Sequence, residues 1–115
     1  MLRKSHNRAA SRRQVYAPLF AALGDETRLM LVRKLCSGQP YSIAQLTEGS
    51  KLTRQAITKH LRVLESAGIV HGRRRGRENL FALDPEPIQE LKGYLDLVAG
   101  QWDQVLARPK AFVEE

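Results

Sequence analysis

KLTRQAITKHLRVLESAGIVHGRRRGR, residues 51–77, decides the fold. Thr53 offers a hydroxyl to cap a helix, and Ile57, Leu61 and Leu64 follow at helical spacing until Ser66-Ala67-Gly68 stops the run. The opposite face carries Arg54, Gln55, Thr58, Lys59 and Arg62. These are the hydrogen-bonding and cationic groups that base edges and phosphates accept. Beyond the glycine, Ile69-Val70-His71 and Asn79-Leu80-Phe81-Ala82-Leu83 read as two short strands flanking Gly72 to Gly76. They form a β-hairpin whose tip is Arg73-Arg74-Arg75-Gly76-Arg77.

Upstream, Val15 to Leu23 reads as a short apolar helix, with Pro18 tolerated only in its first turn and Gly24 at its end. Asp25 caps a second helix whose expected buried side is Leu29, Leu31, Val32 and Leu35; Gly38 and Pro40 stop it. Ser42 caps a third helix, SIAQLTEGS, with Ile43, Ala44 and Leu46 expected to face inward. A turn of about three or four residues then leads to the fourth helix, the connection a helix-turn-helix requires.

Downstream, Asp84-Pro85 opens a last helix with a capping carboxylate and a first-turn proline. Along it Ile88, Leu91, Leu95, Val98, Trp102 and Val105 recur as a heptad seam, widened by Tyr94, Leu97 and Leu106. No later element remains to cover that seam, so the expected partner is a second copy, with Leu19 and Phe20 of the first helix joining the interface. Trp102 reads as an anchor of the dimer core. Pro109 takes the next seam position and must end or kink the helix.

The whole chain of 115 residues is expected to be one domain. Residues 1–14 form a disordered basic tail, 15–108 the DNA-binding and dimerisation domain, and 109–115 a frayed end. The net charge of +7 points to a polyanionic partner, and its distribution sharpens the point. Residues 51–77 hold eight Lys or Arg against Glu65 alone, whereas residues 84–115 hold seven acids against three bases. The front is basic and the back acidic. One cysteine, Cys36, excludes an internal disulfide and a cysteine-cluster zinc site, which fits the cytoplasm; its place at the end of an apolar stripe suggests a buried, inert thiol. No apolar run is long enough to cross a membrane. No catalytic constellation or phosphate-binding glycine loop is present, so neither an enzyme nor a cofactor is expected.

The order helix, helix, helix-turn-helix, hairpin, long helix resembles the winged-helix DNA-binding fold: mainly α with a β-hairpin wing. More narrowly, FAALGDETRLMLVRKL at 20–35, LTRQAITKHLRVLESAGIV at 52–70 and the wing through LFAL at 80–83 resemble the ArsR family of bacterial repressors. The resemblance implies a homodimer that binds a palindromic operator on double-stranded DNA, with each fourth helix in a major groove. It also raises the question of metal sensing, since many members are metal sensors. One common site uses paired cysteines in the third helix, where this chain has Ser42-Ile43-Ala44-Gln45-Leu46. Another needs histidines on the last helix, which here has Asp84, Glu86, Glu90, Asp96 and Asp103 but no histidine. Carboxylates alone hold transition metals poorly, so no metal site is expected. A small molecule or partner protein remains open as effector.

Within the motif, Gln55, Thr58 and Lys59 occupy the first turns of the recognition helix, where base edges are met. Gln can read adenine, Thr can touch a thymine methyl or a phosphate, and Lys can reach guanine or phosphate. Arg54 and Arg62 are assigned to phosphates, and Arg73, Arg74, Arg75 and Arg77 to the minor groove or flanking phosphates. His60 suits a phosphate or a structural bond equally, and His71 is read as structural. Two rival readings are an RNA-associated winged helix and a protein-interaction module docking through the acidic last helix.

Overall fold

The computed structural model describes residues 8–107, with side chains from Tyr16 onward. Its first helix, α1 (Arg8–Leu23), begins seven residues earlier than the apolar pattern suggests. Part of the stretch expected to be a disordered tail is therefore helical; residues 1–7 lie outside the described residues, as does the end expected to fray. The segment RAASRRQ contains good helix formers and neither glycine nor proline, so nothing stops the helix from extending backwards. Pro18 consequently sits inside α1 rather than in its first turn, where it removes one backbone bond.

Helix α2 (Glu26–Leu35) is capped by Asp25, whose carboxylate accepts the Arg28 N–H at 3.0 Å. Leu31 and Leu35 are fully buried, but Leu29 is 54% exposed and Val32 only partly covered. The buried stripe is narrower than expected, because it is a strict four-residue repeat on a ten-residue helix. Cys36 is exposed, correcting the expected buried thiol: one step past Leu35 carries it about 100° around the helix.

Next come β1 (Tyr41–Ser42) and α3 (Ile43–Thr47). Ser42 and Gln45 form a reciprocal capping box, at 3.1 Å and 2.8 Å. Leu46 is buried, whereas Ala44, expected inside, is exposed. The helix stops at Thr47, whose hydroxyl bonds back to the Ile43 carbonyl at 2.6 Å, and Gly49 follows with φ +78°. Residues 48–53 then link it to α4 (Arg54–Ser66), a longer turn than anticipated.

Helix α4 matches its sequence pattern. Thr53 Oγ1 accepts the Ala56 N–H at 3.1 Å, and Ile57, Leu61 and Leu64 are fully buried. Its end is a Schellman motif: the N–H groups of Gly68 and Ile69 bond the carbonyls of Glu65 and Leu64, both at 2.9 Å. Gly68 takes φ +80°, and Ile69 drops into the core.

Strands β2 (Val70–Arg75) and β3 (Glu78–Leu83) form the wing, and β1 adds a short third strand in the order β1-β3-β2, all antiparallel. Arg73, Arg74 and Arg75 lie on β2, opposite Leu80, Asn79 and Glu78, so the turn is only Gly76-Arg77. Gly76 has φ +63° and Arg77 has no positive φ, the pattern of a type II′ turn. Arg73 to Arg75, expected at the hairpin tip, are strand residues instead; an arginine run lacks the alternation that marks a strand.

Asp84 caps α5 (Pro85–Leu106), accepting the Glu86 N–H at 3.2 Å. Its seam divides. Ile88 is half-buried, Leu91 is buried, and Tyr94 packs against Tyr16 and Phe20 of α1 at ring separations of 4.7 and 5.8 Å. The chain thus covers the first half of the seam itself, the contact with its own domain that the widened stripe implies, though it reaches further along the seam than Tyr94 alone. Leu19, assigned to the interface, is core at 3% exposure, and Leu91 belongs to the same core. Leu95, Val98 and Trp102 stand 51%, 44% and 61% exposed.

Candidate nucleic-acid interface

One face of the molecule is built from α4 and the wing. Because Ile57, Leu61 and Leu64 are anchored in the core, the remaining faces of α4 are turned outward. Thr53, Arg54, Gln55, Lys59 and Arg62 are exposed there, as are Arg73, Arg74, Arg75 and Arg77 of the wing. Thr58 is only half-exposed, and its hydroxyl donates to the Arg54 carbonyl at 2.7 Å. The proton is committed to the backbone, which leaves its methyl and oxygen lone pairs for a ligand.

The scaffold beneath this face contains bonds the sequence did not announce. Arg28 of α2 donates from Nε to the Ala22 carbonyl at 2.6 Å and contacts His60 Nδ1 of α4 through Nη1 at 3.1 Å. Asp25 lies 3.7 Å from the same ring nitrogen. His60 is therefore tied into the scaffold through Nδ1. The Arg28 N–H bond holds the Asp25 carboxyl below its ordinary pKa against the opposing effect of desolvation, with lesser help from the charges of His60 and Arg28. Lys34 bonds the carbonyls of Leu46 and Glu48 at 3.2 and 3.4 Å, closing the end of α3. The sequence marks Asp25 as a cap, but no local pattern marks Arg28 or Lys34 as partners of other elements.

Between α4 and the wing lies a notch of about 310 Å³ lined by Thr58, Arg62, Glu65, Arg73, Arg74 and Asn79. Three arginines against one acid make it net cationic, which suits a sugar-phosphate backbone, while Ile43 and Phe81 form an apolar part of its wall. His71 is exposed and belongs to the β2 ladder, opposite Ala82. Among the described residues, no three of His, Cys, Asp and Glu come together as metal ligands, and no helix is long and apolar enough to cross a membrane.

Residues 25–71 match the family described as "Bacterial regulatory protein, arsR family". A similar protein of Bacillus subtilis (strain 168), the uncharacterized HTH-type transcriptional regulator YuzN, is 36% identical over 85 residues, covering 68% of this chain and 92% of that one. The fold is similar to that of an ArsR-like transcriptional regulator from Rhodococcus sp. RHA1, with a TM-score of 0.71, 32% identity, and coverage of 87% and 93% of the two chains. The homodimeric winged helix-turn-helix DNA-binding domain of Mb0332 from Mycobacterium bovis has the same fold, with a TM-score of 0.65 at 20% identity and coverage of 90% and 94%.

Proposed function

Since the chain belongs to the ArsR family of bacterial regulatory proteins and is a DNA-binding transcriptional regulator, we propose that it is a repressor that binds a palindromic operator as a homodimer, without a transition-metal signal. One observation carries this reading. Helix α4 is anchored by three fully buried side chains while Arg54, Gln55, Lys59 and Arg62 all face solvent beside the exposed arginines of the wing. That is the arrangement a major groove and its flanking phosphates accept. Gln55, Thr58 and Lys59 read base edges; Thr53, Arg54 and Arg62 meet the backbone; Arg73, Arg74, Arg75 and Arg77 hold the flanking duplex.

The homodimer is supported by Leu95, Val98 and Trp102, an apolar row on α5 that is exposed among the described residues. Val105 continues the row, Phe20 stands at its edge with 37% exposure, and the M. bovis neighbour is described as homodimeric. Pairing two copies along α5 presents two α4 helices to successive major grooves, about 34 Å apart. Repression follows from occupancy of promoter DNA. Metal-independence is supported by the donor set, since α3 has no thiol and α5 no imidazole.

A salt titration on operator DNA, found by footprinting promoters, tests the reading. If a dimer neutralises roughly ten phosphates, log affinity falls with log salt at a slope of about −9. A slope near zero overturns it.

A further inference from the structure

Glu65 is the only acid among residues 51–77, a surface otherwise made of cations. It stands in the notch between α4 and the wing, where a negative charge opposes a polyanion. Its carboxylate is engaged: Oε2 accepts the backbone N–H of Gly72 at 3.1 Å. Among the described residues, this is the one hydrogen bond from a side chain of α4 to the wing. Nearer the helix, Ile69 and Val70 pin the base of β2 in the core; beyond Val70, every residue of β2 is exposed.

Gly72 is fitted to this contact. A Cβ there would lie 2.9 Å from Phe81 Cε1 and 3.3 Å from Glu65 Oε2. The missing side chain lets the Phe81 ring fill the space from β3 and lets the carboxylate reach the backbone. The bond joins the last turn of the recognition helix to the second exposed residue of the wing.

We propose that Glu65 is a positioning residue for DNA binding, a latch that fixes the wing's angle to α4 so that Arg73 and Arg74 meet the same duplex that α4 reads. The inference rests on the reading that the wing touches DNA. Its sign is opposite to simple electrostatics. Removing an acid from a DNA-facing surface should strengthen binding; removing this one weakens it, because a freed wing must be ordered again on the duplex.

The test uses the full-length protein with Glu65→Ala, Glu65→Gln and Arg74→Ala, each checked for an unchanged thermal midpoint. Glu65→Ala is expected to accelerate amide exchange at residues 71–75 of the free protein and to weaken operator binding about tenfold. Glu65→Gln, which keeps an acceptor oxygen, restores both. Arg74→Ala weakens binding by itself, and its effect shrinks in the Glu65→Ala background, since both act through the wing. Tighter or unchanged binding by Glu65→Ala, with Arg74→Ala still weakening it, overturns the latch while the wing reading stands. Unchanged binding by Arg74→Ala as well overturns both, whatever the exchange data show.

Discussion

At the residue scale, neighbouring side chains on α4 carry different kinds of information. Gln55 is exposed in the first turn and has an amide that can both donate to and accept from one base edge. Gln55→Ala is expected to narrow the preference for operator over random duplex by about 1–3 kcal/mol, whereas Arg74→Ala weakens both alike and lowers the salt slope by about one. Competition binding with the two duplexes checks this; equal losses for Gln55→Ala reject base reading. Asp25 supplies a pH-dependent term. Its carboxyl is held below the ordinary value in the folded state, chiefly by the Arg28 N–H. Its contribution is therefore complete above the unfolded-state pKa of about 3.9 and is lost as pH falls through the lower folded value. Asparagine also caps helices, so Asp25→Asn is expected to retain folding at neutral pH but to flatten the acid limb of thermal stability. Identical acid limbs for the two proteins would remove Asp25 from the account.

At the scale of elements, α4 is governed by both of its ends. Gly68 has open space where a Cβ would lie, so Gly68→Ala isolates the conformational cost of φ +80° from any clash. That substitution is expected to cost about 1–2 kcal/mol, read as a lower denaturation midpoint at unchanged m-value. This helix was legible in the sequence because cap, period and stop signal agree within a single segment. Residues 41–42 were illegible for the opposite reason. A two-residue strand has no period, and its partners Phe81 and Leu80 lie about forty residues away. Arg73 to Arg75 failed as strand signals because their β structure comes from pairing with β3 rather than from alternation. Of the interface, the exposed cations could be named in advance. The bonds that orient them, from Arg28, Lys34 and Glu65, join elements whose separation in space no local pattern encodes.

At the scale of the whole molecule, the chain is drawn out. Its radius of gyration is 18.6 Å, against about 13 Å for a compact domain of roughly 100 residues. The long α5 contributes, since 22 residues span about 33 Å and only its first half is packed on α1. Replacing Leu95 and Trp102 together by alanine removes two large apolar groups, each worth about 1.5–3 kcal/mol when buried, and should raise the dimer dissociation constant a hundredfold or more. Sedimentation velocity should then show monomers that no longer hold operator DNA. A variant that stays dimeric would place the interface elsewhere.

Ser42 gives the architecture a further property. It belongs to β1, paired with Leu80, and it also begins α3 as its cap. The reading motif and the sheet that carries the wing therefore share a residue and cannot be treated as interchangeable modules. A graft carrying only the helix-turn-helix into another scaffold would leave Tyr41 and Ser42 without the strand that aligns them. Transplanted specificity in this protein travels with β3 and with the core beneath it, to which Leu19 of α1 and Leu91 of α5 also belong.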